Sequence, residues 1–292
     1  MSQESSLARA EALIEALPYI QEYRGKTVVI KYGGSAMEDD HIVERMLRDV
    51  VFLEAVGINP VVIHGGGKAI TSKMRDAGLK AQFVNGLRVT SETAIRIVEE
   101  VLDKEINPKI VATLNEFGGR AVGISGKDVI KAEKLPPQVE GKAAAVDLGF
   151  VGEAVGVDLA KVQNALGEEK TPVISPIAMD DEGVALNVNA DVAAGAIASA
   201  LGAAKLIYLS DVLGIMRDPR EKDSLIPSIT TEMIETLIED EVIEGGMIPK
   251  VRSAVEALAN GVGKVHLIDG RIAHSLLLEI FTNSGIGTEI TN

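Results

Sequence analysis

The chain has 292 residues, 46% of them hydrophobic, enough to bury the core of one large or two modest domains. Its 29 Lys plus Arg against 43 Asp plus Glu give a net charge of −14, which excludes a basic footprint for nucleic acid or an anionic membrane; an anionic substrate must be held by a local cluster. With no cysteine there is no disulfide, thiolate nucleophile or Cys-ligated metal, and with 3% aromatics and no Trp there is no stacking platform for bases.

Residues 6–23 place Leu7, Ala10, Leu13, Ile14, Leu17 and Ile20 on a helical stripe, which Pro18 should bend or end. Such a helix ahead of the first strand either lies on its own domain or packs as an arm on another subunit. The segment is too acidic and interrupted for a signal peptide, and no apolar run approaches the ~18 residues of a spanning helix, so a cytoplasmic protein is expected. Residues 27–35, T-V-V-I-K-Y-G-G-S, read as a buried strand ending in glycines, with Lys31 near its end. Asp39 or Asp40 then caps a helix that runs to about Val56 and stops at Gly57.

Residues 60–68, P-V-V-I-H-G-G-G-K, repeat the pattern of apolar strand, glycine turn and helix. Glycines at such a junction let backbone N–H groups face an anion, to which the helix adds its positive end. Two successive strands therefore deliver Gly33, Gly34, Gly65 and Gly66 to one sheet edge, where ligands of open α/β sheets bind. Neither loop is G-x-x-x-x-G-K-[ST] or G-x-G-x-x-G, so another phosphate-handling fold is required.

Further along, 83–90 read as a hairpin carrying Arg88, and 91–117 as helical with an interruption near Pro108. A strand at 121–124 precedes a Gly- and Pro-punctuated β excursion over 129–157, then a helix at 158–166 and a strand at 172–177. Residues 185–200 pass from a strand into an alanine-rich helix whose first turn holds Asn187, Asn189 and Asp191; each is also a natural cap. A strand at 206–212 carries Ser210 and Asp211, and a helix spans 232–238. Lys250 opens a helix to about Ala259, and a strand at 265–268 and a helix at 273–281 close an α/β alternation. The glycine segment 285–288 ends that pattern.

Lys31, the two glycine loops, Arg88, Asn187, Asp191, Ser210, Asp211 and Lys250 thus fall at the ligand edge: cations and backbone amides around one acid. Phosphoryl transfer needs that kind of positioning and charge stabilisation, and little covalent chemistry from the protein. A hydrolase triad has no support, since the four histidines are scattered and no G-x-S-x-G occurs. His64, beside the glycine loop, reads as a packed residue rather than a base.

The motifs K-Y-G-G-S-A-M (31–37), H-G-G-G (64–67), N-G-L-R-V-T (85–90), L-N-V-N-A-D (186–191), L-S-D-V-L-G-I (209–215) and G-G-M-I-P-K (245–250) occur in this order. Over nearly its whole length the chain resembles the acetylglutamate kinases of the amino acid kinase family. The resemblance implies a three-layer αβα sandwich with a mainly parallel central sheet, the carbamate kinase-like fold. It implies an arm at 1–24, an N-acetyl-L-glutamate lobe at 25–203 and an ATP lobe at 204–292. Lys31 and Lys250 would act on the transferring phosphoryl group, with Asp191 orienting them and Gly34, Gly65 and Gly66 donating amides. Arg88 and Asn187 would hold the substrate, while Ser210 and Asp211, beside Gly33 and Gly34, would line the nucleotide site. ATP implies Mg²⁺, for which no carboxylate cage is visible, and no metal-ligating residue is assigned.

Kinases of carbamate, aspartate, glutamate or UMP, and a non-catalytic sensor on the same fold, are the alternatives; the acceptor-side motif around Arg88 and the retained lysines speak against them. The extra N-terminal helix resembles that of the arginine-inhibited, hexameric type, a trimer of dimers. Tyr23, His274, Glu279 and Gly287 are the expected effector-site residues.

Overall fold

The computed structural model describes residues 3–37, 39–139, 145–218 and 220–292; residues 1 and 2 of the arm and 140–144 of the β excursion lie outside them. In chain order the elements are α1 (Gln3–Tyr23), β1 (Thr27–Tyr32), α2 (Asp40–Ala55), β2 (Asn59–His64), α3 (Gly67–Asp76), β3 (Phe83–Val84), β4 (Leu87–Arg88), α4 (Glu92–Glu99), a π-helix (Glu100–Ile106), α5 (Asn107–Glu116), β5 (Ala121–Ile124), β6 (Ile130–Lys134) and β7 (Gly152–Val157). There follow α6 (Ala160–Gly167), β8 (Thr171–Ile174), β9 (Ile177–Met179), β10 (Ala185–Asn187), α7 (Ala190–Leu201), β11 (Lys205–Ser210), β12 (Ser228–Thr230), α8 (Ile234–Glu239), α9 (Met247–Ala259), β13 (Lys264–Asp269), α10 (Ser275–Ile280) and β14 (Thr288–Thr291). No described helix is long and apolar enough to cross a membrane.

An eight-stranded sheet with order β12-β14-β13-β11-β1-β2-β8-β5 forms the middle layer, parallel throughout except where β14 runs against β13. Alternation in β1 explains the two outer layers. Val28, Ile30 and Tyr32 face a cluster shared with α2, α5 and α10, whereas Val29 faces one shared with α6, α7 and α9. The architecture is therefore the αβα sandwich. A second sheet, β10-β9-β6-β7, and the β3-β4 hairpin, turned at Asn85 and Gly86 with both φ positive, sit beside the glycine edge.

Several boundaries differ from expectation for local reasons. The segment 172–177 is divided: β8 belongs to the main sheet and β9 to the second, and Pro176, with no N–H to offer a ladder, lies between them. Pro18 does not end α1, because the carbonyl it leaves without a donor is that of Ile14, which is exposed to water. The irregularity near Pro108 is a full π-helical stretch immediately before it. The short strands β12, at one edge of the sheet, and β14, next to it, carry no sequence signal that distinguishes them from loops.

The two sheets meet at Gly126, where an added methyl would collide with the carbonyl oxygens of Ser175 and Ile177. Gly126→Ala is expected to cost about 2 kcal/mol, read as a lower denaturant midpoint at unchanged slope. Gly167, at the open end of α6, is the control: a Cβ added there would meet nothing within 4 Å, and Gly167→Ala should be neutral or slightly stabilising. Equal midpoints for the two variants would show that the junction tolerates a side chain.

Candidate active site

Adjacent parallel strands set the first groups. β1 pairs with β2 in the register Lys31↔Ile63 and Tyr32↔His64, so both glycine turns leave the sheet side by side, and the Gly65 N–H donates to the Tyr32 carbonyl at 2.6 Å. That bond corrects one expectation: the Gly65 amide is committed to the Tyr32 carbonyl, which leaves, of the two amides expected to donate from this turn, that of Gly66. Gly66 is a glycine because of close approach, since a Cβ there would lie 2.6 Å from Leu102 Cδ2 and 2.9 Å from Ile106 Cδ1. On the other side of β1, β11 ends in Ser210 at the same edge.

Two helices bring in the remaining groups. Asn189 caps α7, its Oδ1 accepting from the Asp191 N–H at 2.8 Å, and this fixes Asp191 in the first turn. Lys250 lies in the first turn of α9, which packs on α7. The Asp191 carboxylate takes Lys31 Nζ on Oδ1 and Lys250 Nζ on Oδ2, each at 2.8 Å, and all three residues are 9% exposed. Burial by itself would raise the Asp191 pKa; the two ammonium groups outweigh it and hold the carboxyl down at about 2. Since folding lowers this pKa from 3.8, the interaction stabilises the fold above that value and is lost as pH falls through about 2. Lys250 is pushed down by burial, against the pull of Asp191 and with a further push from Lys31.

Behind this triad lie two residues the sequence did not single out. The Ser253 hydroxyl, one turn after Lys250, donates to the Asp191 main-chain carbonyl at 3.0 Å and meets Tyr208 Oη at 2.9 Å, while the Tyr208 ring lies under Lys250 Nζ. The i, i+3 spacing of Lys250 and Ser253 was the available signal.

Two cavities meet at the triad. The first, about 720 Å³, is lined by Lys31, Gly34, Gly65, Gly66, Arg88, Asn187 and Asp191 among others, all from residues before 192. Arg88 is 6% exposed; it donates to the Gly67 carbonyl at 2.7 Å and Thr71 Oγ1 at 2.8 Å and lies over the Phe83 ring. No described Asp or Glu pairs with it, and burial lowers its pKa. It is a guanidinium suited to a carboxylate ligand. Asn187, at the end of β10, offers its amide to Thr90 Oγ1 at 3.3 Å. The second cavity, about 420 Å³, is lined by Gly33, Ser210, Asp211, Met247 and Lys250, and it shares Lys31 and Gly34 with the first. The predicted catalytic, acceptor-side and nucleotide-side residues thus converge on one crevice.

The expected effector residues divide. Tyr23, closing α1, lies beside buried Lys205, whose Nζ is 2.9 Å from His266 Nε2; His266 Nδ1 is 2.5 Å from Glu279 Oε1. Glu279 also accepts the Ile286 and Gly287 N–H groups, at 2.7 and 3.3 Å. Burial would raise the Glu279 pKa, but His266 and those amides draw it below the usual range. Tyr23, Glu279 and Gly287 are therefore parts of one buried chain of contacts, to which Lys205 and His266 are additions. His274 is elsewhere, its Nδ1 2.6 Å from Asp49 Oδ1.

Comparison with known proteins agrees with this geometry. A profile of the amino acid kinase family matches residues 26–269. An acetylglutamate kinase of Akkermansia muciniphila is 50% identical over 285 residues, 97% of this chain and 96% of that one, and one of Heliobacterium modesticaldum is 48% identical over 290 residues, 98% of each. Among solved structures, an N-acetylglutamate synthase of Neisseria gonorrhoeae, complexed with coenzyme A and N-acetyl-glutamate, superposes with a TM-score of 0.83 at 28% identity; the match covers 97% of this chain and 63% of the synthase. The same synthase complexed with L-arginine gives 0.81 at 25% identity, covering 97% and 65%. By profile, by sequence identity along its whole length and by the site that its strands and helices assemble, the chain belongs to the amino acid kinase family.

Proposed function

We propose that this protein transfers the γ-phosphoryl group of ATP to the side-chain carboxylate of N-acetyl-L-glutamate, giving N-acetylglutamyl 5-phosphate, a reaction of arginine biosynthesis. The observation that carries this reading is the meeting of two cavities on Lys31 and Gly34, with Asp191 held between Lys31 and Lys250 at the junction. The acceptor enters from the first cavity, with a carboxylate on Arg88 and its amide end near Asn187. The nucleotide enters from the second, past Ser210 and Asp211. This assigns 25–203 to the acceptor and 204–292 to ATP, and the lining of the cavities is what supports the division.

The chemistry asks little covalent work of the protein. The acceptor carboxylate is ionised at pH 7, from a reference pKa of about 4.3, so it attacks without a general base. Lys31 and Lys250 neutralise charge gathering on the transferring group, and the Gly34 and Gly66 amides add fixed dipoles. Among the described residues no three His, Asp or Glu side chains converge as a metal cage, which suits an ion bound chiefly by nucleotide phosphates and water. Mg²⁺ held in that way would offset phosphate charge.

We further propose feedback inhibition by arginine in a hexamer built through α1. Leu7, Leu13, Ile14 and Leu17 are exposed along that helix, while its C-terminal end is tied to the C-terminal segment by the Tyr19 Oη to Asn283 Oδ1 bond of 2.5 Å. Its Tyr23 leads into the Lys205–His266–Glu279 contacts, which support a guanidinium and carboxylate site there. Arginine inhibits if it favours the less active lobe arrangement.

Trapping the acyl phosphate as hydroxamate tests the reaction. N-acetylglutamate should greatly exceed glutamate in kcat/KM, because an added ammonium would be buried without a partner; comparable values would contradict the acceptor assignment. Lys31→Ala should lower kcat by roughly 10²-fold or more in a folded protein, and Asp191→Asn should do likewise by leaving two buried lysines unneutralised. Near wild-type turnover of either variant would remove that residue from the mechanism. Deleting residues 1–24 should yield particles smaller than a hexamer in solution and abolish inhibition by millimolar arginine; a truncated protein still hexameric and inhibited would refute the role of the arm.

A further inference from the structure

We infer that His64 is a positioning residue: as the neutral tautomer protonated at Nδ1, it holds the Gly65 carbonyl and so aims the Gly66 amide into the first cavity. This rests on the phosphoryl-transfer reading above, in which that amide faces the reacting groups. His64 closes β2, is fully buried, and is not among the residues lining either cavity, so it has no direct access to a substrate.

The tautomer follows from Asn107. This residue opens α5, is 5% exposed, and donates through Nδ2 to the Val173 carbonyl at 2.8 Å, which fixes which end of its amide is nitrogen. The same nitrogen lies 3.3 Å from His64 Nε2 and has only protons to offer. Nε2 is therefore the acceptor and the ring proton resides on Nδ1, which lies 2.9 Å from the Gly65 carbonyl oxygen and donates to it. Burial lowers the His64 pKa to about 4, against smaller opposing effects of the Gly65 carbonyl and of Asp103, which keeps the ring neutral. Asp103, whose charge acts on the ring, already accepts from the Ser125 and Ser175 hydroxyls.

The peptide plane transmits the constraint. The Gly65–Gly66 bond is trans, so its C=O and N–H point in opposite directions, and fixing the oxygen on His64 turns the Gly66 N–H the other way. The remaining freedom is removed on both sides: the Gly65 N–H is on Tyr32, and the Gly66 Cα abuts Leu102 and Ile106. Leu102 and Ile106 belong to the π-helix that immediately precedes Asn107, so one irregular turn supplies both the wall behind Gly66 and the donor to His64. Without the imidazole the Gly65–Gly66 plane is free to rotate.

The test uses the full-length protein. Long-range ¹H–¹⁵N spectra of histidine-labelled protein, with His64 assigned by its disappearance in His64→Asn, should show the Nδ1–H tautomer at pH 7. An Nε2–H or doubly protonated ring would overturn the inference whatever the kinetics show. His64→Gln, which offers its donor at the Nε2 position, should lose about 10²-fold in kcat with both KM values within threefold, as expected of a misaimed group. His64→Asn, whose Nδ2 replaces Nδ1, should recover most of that loss. Wild-type kcat in His64→Gln, or equal losses in the two variants at matched melting temperatures, would refute it. An inactive wild-type protein with the Nδ1–H tautomer would instead refute the phosphoryl-transfer reading.

Discussion

The structure depends on one ionic arrangement, a buried carboxylate shared by two buried ammonium groups. Removing one partner from a buried pair typically costs about 3–5 kcal/mol, because a charge is left without compensation. Asp191, Lys31 and Lys250 come from α7, β1 and α9, so their geometry fixes three elements of two layers against one another. The group also carries a net positive charge. A chain with an overall charge of −14 thereby presents a cationic centre, with Arg88 in the same cavity, to two anionic substrates.

Backbone groups do much of what side chains do in other enzymes. The glycine turns bring Cα atoms of adjacent strands so close that a Cβ on Gly65 would lie 3.3 Å from Gly33 Cα, and amides reach the crevice without intervening side chains. The cost of such turns is conformational freedom. Here it is restrained by neighbours: the Tyr32 carbonyl, His64, and the apolar tips of Leu102 and Ile106. Tyr208 and Ser253 restrain the Asp191 backbone in the same manner.

What the sequence made legible was local. Apolar runs ending in glycine located β1 and β2, an Asx residue located the start of α7, and the motif order brought the ligand-edge residues to one crevice. What it hid was pairing between distant segments. The strands β12 and β14 are short, and β12 finds its partner in β14 far along the chain, so neither periodicity nor propensity marks them. The commitment of the Gly65 amide depends on how closely β1 and β2 approach, and the Lys205–His266–Glu279 contacts join three elements whose residues, read singly, look like ordinary strand and helix positions. His64 reads as packed from the sequence, but its partner Asn107 is 43 residues away and is brought to it by a π-helix that the sequence shows only as an interruption near Pro108.

The proposed transfer carries the phosphoryl group between the two cavities at Lys31, Asp191 and Lys250. A crystal structure of the protein with Mg²⁺, ADP, aluminium fluoride and N-acetylglutamate measures this most directly. A planar fluoride complex is expected at the junction, within hydrogen-bonding distance of both lysine Nζ atoms, with the acceptor carboxylate and the nucleotide β-phosphate on opposite sides of it. A fluoride complex bound away from those lysines, or acceptor and nucleotide occupying the same cavity, would contradict it.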